Sequence, residues 1–336
     1  MIPVFLASDE KFAKYMAVTI ESIVSGTEEA VEFYVLDGGI TKSSKQRITK
    51  MLDHSKHKIE FLNIDMKYFK NFPVKRHFSI NTYFRYLIPV LKPEFKKVLY
   101  VDTDMIVNGD IKEIYDTEMQ NYGISAVPYL DEFYNKSVYL DYKKDFDIPQ
   151  EHLYFNAGLL LINCDYWREN KIVDLLFNKT DELKDKLQAP DQDILNILFI
   201  NNYIKLDDKY NIVVDLTCDY IDIYKYISEI KGCYILHYTG GRKIRPWLNK
   251  NVPFEHIFWS YAINTPFYSN LKFELIENMI FQQNTLLSTN KLEQKDTVYK
   301  ILLFGFIPLL KLIKKNKKIY IKLFNCIPLL SIKEIR

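Results

Sequence analysis

The chain has 336 residues, of which 48% are hydrophobic and 26% are charged, as is usual for a folded globular protein. The 45 Lys and Arg residues nearly balance the 43 Asp and Glu residues, so the net charge of +2 gives no reason to expect nucleic acid as a partner. Four cysteines lie far apart without a Cys-x-x-Cys pair, which argues against a zinc site and a disulfide framework. The start lacks a basic leader, and no apolar run reaches the roughly 18 residues needed to span a bilayer. We therefore expect a cytoplasmic protein.

The N-terminal part of the chain alternates between predicted strands and helices. The pattern predicts a strand over 2–7, a helix from Phe12 to Ile23, a strand over 31–36, a helix over 43–52 and a strand over 59–64. Strands that alternate with helices of this length indicate βαβ units and a mainly parallel sheet. The predicted fold class is therefore α/β.

The next predicted strand leads directly into two carboxylates. Val98–Val101 is an apolar run without polar alternation, which is typical of a strand buried on both faces. Asp102 and Asp104 follow at its carboxyl end, where ligands bind in open α/β sheets. Two carboxylates one residue apart can hold a divalent ion that bridges to the phosphates of a nucleotide. The alternative is an ordinary turn, because Asp often begins turns.

Beyond this strand the α/β pattern continues and then changes towards the C-terminus. It predicts further strands over 124–127, 155–163 and 234–238, helices over 171–186 and 191–199, and a helix with a polar connector over 271–294.

A histidine and two glycines follow the predicted strand over 234–238. His237 is able to complete an Asp/Asp/His ligand set, because neutral imidazole binds Mn²⁺-like ions. Gly240 and Gly241 allow backbone N–H groups to approach a phosphate closely, and Lys243 is placed to neutralise it. The alternative for a single histidine is a structural role in the core or at the surface.

Three further polar features are candidates for the same site. Asn156-Ala157-Gly158 opens an apolar strand, where an amide beside two small residues can bind a polyhydroxylated ligand, although a turn is the alternative. Asp191-Gln192-Asp193 opens a helix, so Asp191 is either a ligand-binding carboxylate or an N-cap. Arg85, on a helix that leads into the central strand, is either a ligand contact or a surface ion-pair partner.

These motifs together resemble those of the family 8 glycosyltransferases, which include glycogenin and bacterial lipooligosaccharide galactosyl- and glucosyltransferases. The match in order and spacing covers about residues 1–265 and is most similar to the bacterial α-galactosyltransferases. The stretches that carry it are Asp102-Thr103-Asp104, Phe155-Asn156-Ala157-Gly158, Asp191-Gln192-Asp193 and the segment from His237 to Lys243. The resemblance implies a Rossmann-like GT-A fold, a UDP-hexose donor, Mn²⁺ (with Mg²⁺ as the other candidate) and retention of configuration at the anomeric carbon.

The resemblance also implies roles for individual residues. Asp102, Asp104 and His237 are implied metal ligands, and Asp191 and Gln192 are implied catalytic residues, with Gln192 beneath the β face of the sugar. The implied donor-binding residues are Ala7, Asp9, Phe12, Arg85, Asp102, Thr103, Asp104, Asn156, Ala157, Asp191, Gln192, His237, Gly240 and Lys243. Among them, Asp9 and Phe12 correspond to uracil contacts, Thr103 lies along the ribose, and Gly240 and Lys243 meet the diphosphate.

The sequence departs from the family pattern at two places. Lys11 replaces an Asn at the base-binding turn, which puts that contact in doubt. Ile244-Arg245 intervenes before Pro246-Trp247, where the family usually runs Lys-Pro-Trp. Either Lys243 or Arg245 is therefore the candidate cation for the diphosphate.

The predicted reaction is transfer of a hexose, galactose or glucose, from a UDP-sugar to a saccharide hydroxyl of a lipooligosaccharide, a lipopolysaccharide or another cell-surface glycan. Because the neutral amide of Gln192 is a poor nucleophile, we favour attack on the same face that the leaving group departs from. A UDP-sugar hydrolase and a catalytically inactive, membrane-bound binding module are the alternatives.

The C-terminal part of the chain contains a repeat of different composition. Leu303–Leu310 recurs twenty positions later as Leu323–Leu330, with a lysine-rich segment between the copies. Short apolar segments broken by proline beside a basic strip are typical of a peripheral anchor on an anionic membrane surface. We predict a catalytic domain over 1–265, a helical connector over 266–296 and a helical, membrane-associating extension over 297–336. The anchor would serve a lipid-linked saccharide acceptor at the inner face of the plasma membrane. The alternatives are a helix pair folded on the catalytic domain and a dimer contact.

Overall fold

In a computed structural model of the protein, the structure describes residues 1–74, 79–129, 146–149, 151–214, 220–239 and 242–289, together with four strands between 297 and 333. The chain divides into two compact units, Met1–Met279 and Ile280–Arg336. Gly240 and Gly241, which the sequence analysis assigned to phosphate binding, lie outside the described residues.

The first unit contains short strands and helices in alternation, as predicted. Its strands are β1 (Ile2–Ser8), β2 (Val31–Asp37), β3 (Lys58–Asn63), β4 (Lys97–Val101), β5 (Met105–Asn108), β6 (Ile124–Pro128), β7 (Phe155–Asn163), β8 (Ile204–Lys205), β9 (Ile212–Val213) and β10 (Tyr234–His237). Its α-helices are α1 (Ala13–Gly26), α2 (Lys42–Met51), α3 (Ile88–Leu91), α4 (Lys112–Tyr115), α5 (Cys164–Glu169), α6 (Ile172–Leu183), α7 (Pro190–Leu198), α8 (Tyr220–Glu229), α9 (Glu255–Ala262) and, extending into the second unit, α10 (Tyr268–Thr289). The 3₁₀ helices are Met66–Phe69, Ile80–Leu87, Asp208–Asn211 and Arg242–Ile244.

Seven strands form the central sheet in the order β3-β2-β1-β4-β7-β6-β8. Neighbouring strands run parallel from β3 to β4, whereas β7 is antiparallel to both β4 and β6. Successive side chains of a strand point to opposite faces, and in β4 Leu99 and Tyr100 belong to the apolar cores on the two sides. The predicted mainly parallel sheet, with a central strand buried on both faces, is confirmed.

A second, three-stranded sheet of order β5-β10-β9 lies beyond the end of β4. In it β10 is antiparallel to β5, with His237 opposite Met105, and parallel to β9. This pairing brings His237 next to Asp104, the residue that precedes β5. The small sheet thus connects the histidine segment to the two aspartates.

The end of the first unit is held to its beginning through α10. The Tyr15 hydroxyl of α1 donates to the Glu274 carboxylate at 2.8 Å, and Lys14 forms an ion pair with the same group. Within the described part of the chain, every helix falls short of the length and apolar character that a membrane-spanning segment requires.

The second unit contains four antiparallel strands: β11 (Thr297–Leu303), β12 (Ile307–Lys315), β13 (Lys318–Leu323) and β14 (Ile327–Lys333). The prediction of helices over 297–336 is therefore wrong. Lys318–Leu323 alternates charged or aromatic with aliphatic residues, a period of two that favours a strand. The strand register shifts once opposite Pro308 and again opposite Pro328, because proline cannot donate to the ladder. The sequence repeat is a repeated hairpin.

Candidate active site

Two aspartates lie at the carboxyl end of β4, where the sequence analysis placed them. The Asp102 N–H donates to the Gly158 carbonyl of β7 at 2.8 Å, and the Asp104 carbonyl accepts from the Tyr238 N–H at 3.0 Å. The backbone is therefore fixed to both sheets on either side of Thr103. The side chains remain partly accessible, with 27% of Asp102 and 16% of Asp104 exposed. The alternative that Asp102 and Asp104 belong to an ordinary solvated turn is therefore wrong.

His237 converges with the two aspartates. Its Nε2 atom lies 3.2 Å from Oδ1 of Asp104 and 4.0 Å from Oδ2 of Asp102. One ligand atom from each of the three residues lies within 4.8 Å of the others. An imidazole nitrogen with two carboxylate oxygens suits a divalent cation of the Mn²⁺ or Mg²⁺ type. Among the described residues, this is the group that fits a metal.

The pKa values of the two aspartates are shifted in opposite directions. Burial raises the pKa of Asp102 by more than the Arg85 guanidinium lowers it. For Asp104, burial opposes ionisation, but His237 and Arg245 outweigh it, so the net effect lowers the pKa. A site that favours at least one ionised carboxylate beside an imidazole is prepared for a cation.

Arg85 connects the metal-type cluster to a third carboxylate. Its guanidinium is 3% exposed, donates to Asp102 Oδ1 at 2.9 Å and lies with Nε 3.2 Å from Asp191 Oδ2. It also donates to the Ala157 carbonyl and covers the Tyr100 ring. Burial lowers the pKa of Arg85, but the two carboxylates more than compensate, so the pKa is raised. The interpretation of Arg85 as a surface ion-pair residue is wrong.

Asp191 is held by side chains and does not cap its helix. Helix α7 has Ala189 at its N-cap, without a side-chain capping bond. Asp191 Oδ1 accepts from the Thr82 hydroxyl at 2.6 Å, and its Oδ2 faces Arg85. The backbone N–H groups before the helix donate instead to Asp193. The N-cap alternative for Asp191 is therefore wrong.

Gln192 and Asn156 are engaged with protein groups. The Gln192 Oε1 atom accepts from the Ala157 N–H at 3.0 Å. Asn156 lies within β7, so the turn alternative is wrong, and its amide oxygen accepts from the Gly158 N–H at 2.8 Å. Asn156 is only 5% exposed. Both amides therefore have fixed orientations beside the cluster.

A cavity opens over the cluster and contains many of the predicted residues. The predicted residues that line it are Ala7, Phe12, Arg85, Asp102, Thr103, Asp104, His237 and Arg245. Other predicted residues, Asp9, Asn156, Ala157, Asp191, Gln192 and Lys243, are outside its lining. Asp9 instead accepts a hydrogen bond from the Phe12 N–H at 3.1 Å.

Among the polar residues of the cavity that the sequence analysis missed, three lie together on one element. Ser79, Asn81 and Thr82 belong to the 3₁₀ helix Ile80–Leu87 or to its cap, and all three line the cavity. Side chains three residues apart eclipse one another in a 3₁₀ helix. The spacing of Ser79, Thr82 and Arg85 was thus a polar signal, which a search for apolar periodicity does not detect.

Of the two candidate cations for the diphosphate, Arg245 lines the cavity, whereas Lys243 is exposed and does not. The Arg245 guanidinium lies 5.7 Å from the ring centroids of Phe12 and Trp247. Its Nε atom is buried and has no hydrogen-bond partner among the described residues. Arg245 thus offers a positive charge and an unused donor to the cavity.

The chain belongs to the glycosyl transferase family 8, whose family model matches residues 3–251. The fold agrees with this membership. The crystal structure of the galactosyltransferase LgtC, in complex with donor and acceptor sugar analogs, superposes with a TM-score of 0.68 at 25% identity, covering 79% of this chain and 96% of that one. The resemblance found from the sequence motifs, and the GT-A-like α/β fold that it implied, are both confirmed.

Curated relatives show the same membership. The chain is 28% identical to glycosyltransferase GlyF of Streptococcus pneumoniae over 264 residues. This aligned region covers 77% of this chain and 60% of GlyF. It is 27% identical over 270 residues to the lipopolysaccharide 1,3-galactosyltransferase of Salmonella typhimurium, covering 77% of each.

Proposed function

We propose that this glycosyltransferase transfers galactose or glucose from a UDP-sugar to a saccharide hydroxyl, with retention of configuration and with Mn²⁺ as the preferred cofactor. The observation that carries the proposal is the convergence of His237 with Asp102 and Asp104 in the lining of the cavity. The galactosyltransferase names of two similar proteins support the hexose class.

In this proposal Asp102, Asp104 and His237 hold the cation. When bound, the cation stabilises the negative charge that develops on the UDP leaving group. Arg85 keeps the Asp102 carboxylate oriented through its 2.9 Å bond to Oδ1, which leaves Oδ2 directed towards His237. The protein therefore supplies a prearranged site whose reorganisation cost during the reaction is small.

Arg245, rather than Lys243, is the proposed partner of the diphosphate. A guanidinium can donate two parallel hydrogen bonds to a phosphate, and the buried Nε of Arg245 has none among the described residues. Phe12, over which Arg245 lies, is the proposed contact for the uracil ring. The rings of Phe12 and Trp247 also limit the orientations open to the guanidinium.

The geometry of Gln192 supports attack on the same face that the leaving group departs from. Its Oε1 atom already accepts a hydrogen bond from the Ala157 backbone, which further reduces the weak nucleophilicity of an amide oxygen. We therefore assign Gln192 and Asp191 to positioning the sugar, with Asp191 held in place by Thr82 and Arg85. In same-face attack the leaving phosphate oxygen accepts the proton of the acceptor hydroxyl.

The proposed acceptor is a lipid-linked saccharide of lipopolysaccharide type, as the name of the Salmonella relative suggests.

We further propose that the C-terminal sheet binds the anionic cytoplasmic surface of the membrane. Its register puts Lys300 opposite Lys311 and Lys311 opposite Lys322, so these three residues share one face. A row of lysines is attracted to anionic lipid by about 1 kcal/mol for each charge.

The test is release of UDP from UDP-galactose, UDP-glucose and their N-acetyl forms, measured with and without Mn²⁺ and with a saccharide acceptor. We expect one hexose to be preferred, and UDP release to require Mn²⁺ and to increase when acceptor is added. Release that ignores the acceptor would favour a hydrolase. Binding of UDP-sugar without any turnover would favour an inactive binding module.

A further inference from the structure

We propose that Asn211 is a positioning residue that fixes the tautomer of His237 and so directs the Nε2 lone pair towards Asp102 and Asp104. The proposal rests on the proposed metal site. Asn211 ends the 3₁₀ helix Asp208–Asn211 and does not line the cavity, so it acts through His237 and makes no contact with the donor itself.

The direction of each hydrogen bond follows from one backbone group. The Gly158 N–H can only donate, and it lies 2.8 Å from an amide atom of Asn156, which must therefore be the oxygen. That same oxygen lies 2.9 Å from Asn211, so the atom of Asn211 facing it must be the amide nitrogen. The Asn211 oxygen is then left to face Nδ1 of His237 at 3.0 Å.

An amide oxygen can only accept, so Nδ1 of His237 must carry the proton. In the neutral imidazole the Nε2 atom then carries the lone pair, and this is the atom that faces Asp104 at 3.2 Å. The alternative tautomer would set two lone pairs against each other at Nδ1. Metal-binding histidines usually have their other nitrogen held in this way, which sets the ring orientation.

The surroundings leave the ring and its two amides little freedom. Asn156 and Asn211 are each 5% exposed and His237 is 2% exposed. A Cβ atom added at Gly158 would overlap Cε1 of the His237 ring, so the absence of a side chain there allows the ring to lie against β7. The relay of Gly158, Asn156, Asn211 and His237 thus links the backbone of the central sheet to the metal-type cluster.

The first experiment measures Mn²⁺ binding to the full chain, without any UDP-sugar, from the electron paramagnetic resonance signal of the free ion. We expect Asn211→Leu, which removes the acceptor while keeping the volume, to raise the dissociation constant by about 10- to 100-fold. Asn211→Asp keeps an acceptor for the Nδ1 proton and loses the donation to Asn156, so its dissociation constant should stay within about fivefold of the wild-type value.

A matched control is Asn163→Leu, which removes a structural amide that caps α5 and does not line the cavity. It should lower the melting temperature and leave Mn²⁺ binding unchanged. If Asn211→Leu, folded by circular dichroism, binds Mn²⁺ as tightly as the wild type, the positioning role is wrong.

The second experiment reads the tautomer directly in the wild-type protein saturated with diamagnetic Mg²⁺, because a bound cation relieves the repulsion between the Nε2 lone pair and Asp104 Oδ1. Long-range ¹H–¹⁵N correlation spectra of ¹⁵N-histidine-labelled protein, at a pH where imidazole is neutral, should show His237 protonated at Nδ1, with the signal assigned from His237→Gln. A proton on Nε2 would overturn the proposal even if Asn211→Leu failed to fold. Neither readout requires sugar transfer, so a failure of the proposed function would be seen separately in the UDP-release assay.

Discussion

Nε2 of His237 lies 3.2 Å from Oδ1 of Asp104, although the two residues are far apart in the sequence. The contact follows from strand pairing, because β10 places His237 opposite Met105, which directly follows Asp104. A nitrogen lone pair and a carboxylate oxygen at this distance repel unless a proton or a cation lies near both. A proton or a divalent cation can satisfy this contact, so it supports the proposed metal site independently of the Asp-x-Asp motif.

The assignment of the diphosphate cation predicts opposite results for two neighbouring residues. Arg245→Ala should raise the KM for the UDP-sugar by about 10- to 100-fold, because a charged hydrogen bond contributes about 1.5–3 kcal/mol. Lys243→Ala, the matched control, should change KM less than about twofold, because an exposed charge outside the cavity contributes little. Steady-state kinetics measures both. Loss of donor affinity in the Lys243 variant alone would reverse the assignment.

The buried position of Asp191 predicts that Asp191→Asn lowers both activity and stability. The substitution leaves Arg85 with one carboxylate partner fewer, so the free energy of unfolding should fall by about 1–3 kcal/mol. Turnover should fall by about 100-fold or more, because the substitution alters the group that positions the sugar in the proposed function. The control, Asp165→Asn, removes a partly exposed ion pair in the first turn of α5, and should change stability by less than about 1 kcal/mol. Wild-type activity and stability for Asp191→Asn would show that neither Arg85 nor the sugar depends on the charge of this carboxylate.

Asp193 gives a prediction for the pH dependence of stability. Burial raises the pKa of its carboxyl group to about 6, despite hydrogen bonds from Tyr154, Gln188 and Ala189 that lower it. Because the folded-state pKa lies above the unfolded value, the folded protein binds the additional proton, and the resulting stabilisation is lost as pH rises through about 6. Between pH 5 and pH 8 the wild type should lose about 1 kcal/mol relative to Asp193→Asn. Chemical denaturation of both proteins across this range provides the measurement, and a constant difference would argue against the raised pKa.

The lysine row of the C-terminal sheet predicts binding to anionic vesicles. The full chain should float with vesicles that contain phosphatidylglycerol and not with neutral ones, and a chain ending at residue 296 should float with neither. Replacing Lys300, Lys311 and Lys322 by Gln should weaken binding by about 100-fold or more, at about 1 kcal/mol for each charge.

The control for this prediction replaces Lys42, Lys50 and Lys58 by Gln. This triple variant has the same change in charge, made at exposed positions of the first unit. Equal flotation of the two triple variants, or flotation that does not depend on salt, would argue against a specific role of the C-terminal sheet.

The periodicity of the sequence predicted the long elements well. The apolar run of β4 and the alternation of strands with α1 and α2 predicted a mainly parallel sheet with a buried central strand, and the motif at Asp102 marked the site. Strands β5 and β9 were missed because four and two residues carry too little periodicity. Because these two strands were not predicted, the strand pairing that brings His237 beside Asp104 could not be predicted either.

Other features of the site depend on tertiary contacts that no local pattern records. Asn211 is a single amide after a tyrosine, and only the folded chain shows that it faces His237. From the sequence alone, Arg85 is interpreted as an ordinary surface residue. The structure shows that it is buried between Asp102 and Asp191. In the C-terminal segment, grouped lysines and apolar residues suggested amphipathic helices, whereas the period of two in β13 indicated strands.

The central claim is that Asp102, Asp104 and His237 hold a divalent cation that the UDP-sugar requires. The most direct test is the rate of UDP release from the preferred UDP-hexose as Mn²⁺ is titrated into the metal-depleted wild type and into Asp104→Asn. The wild type should be inactive without Mn²⁺ and saturate as the ion is added. The variant should remain below about 1% of the wild-type rate at saturation, because a lost ligand charge removes several kcal/mol of leaving-group stabilisation. A wild type that turns over fully without a divalent ion, or a variant with a near-normal Mn²⁺-dependent rate, would contradict the account.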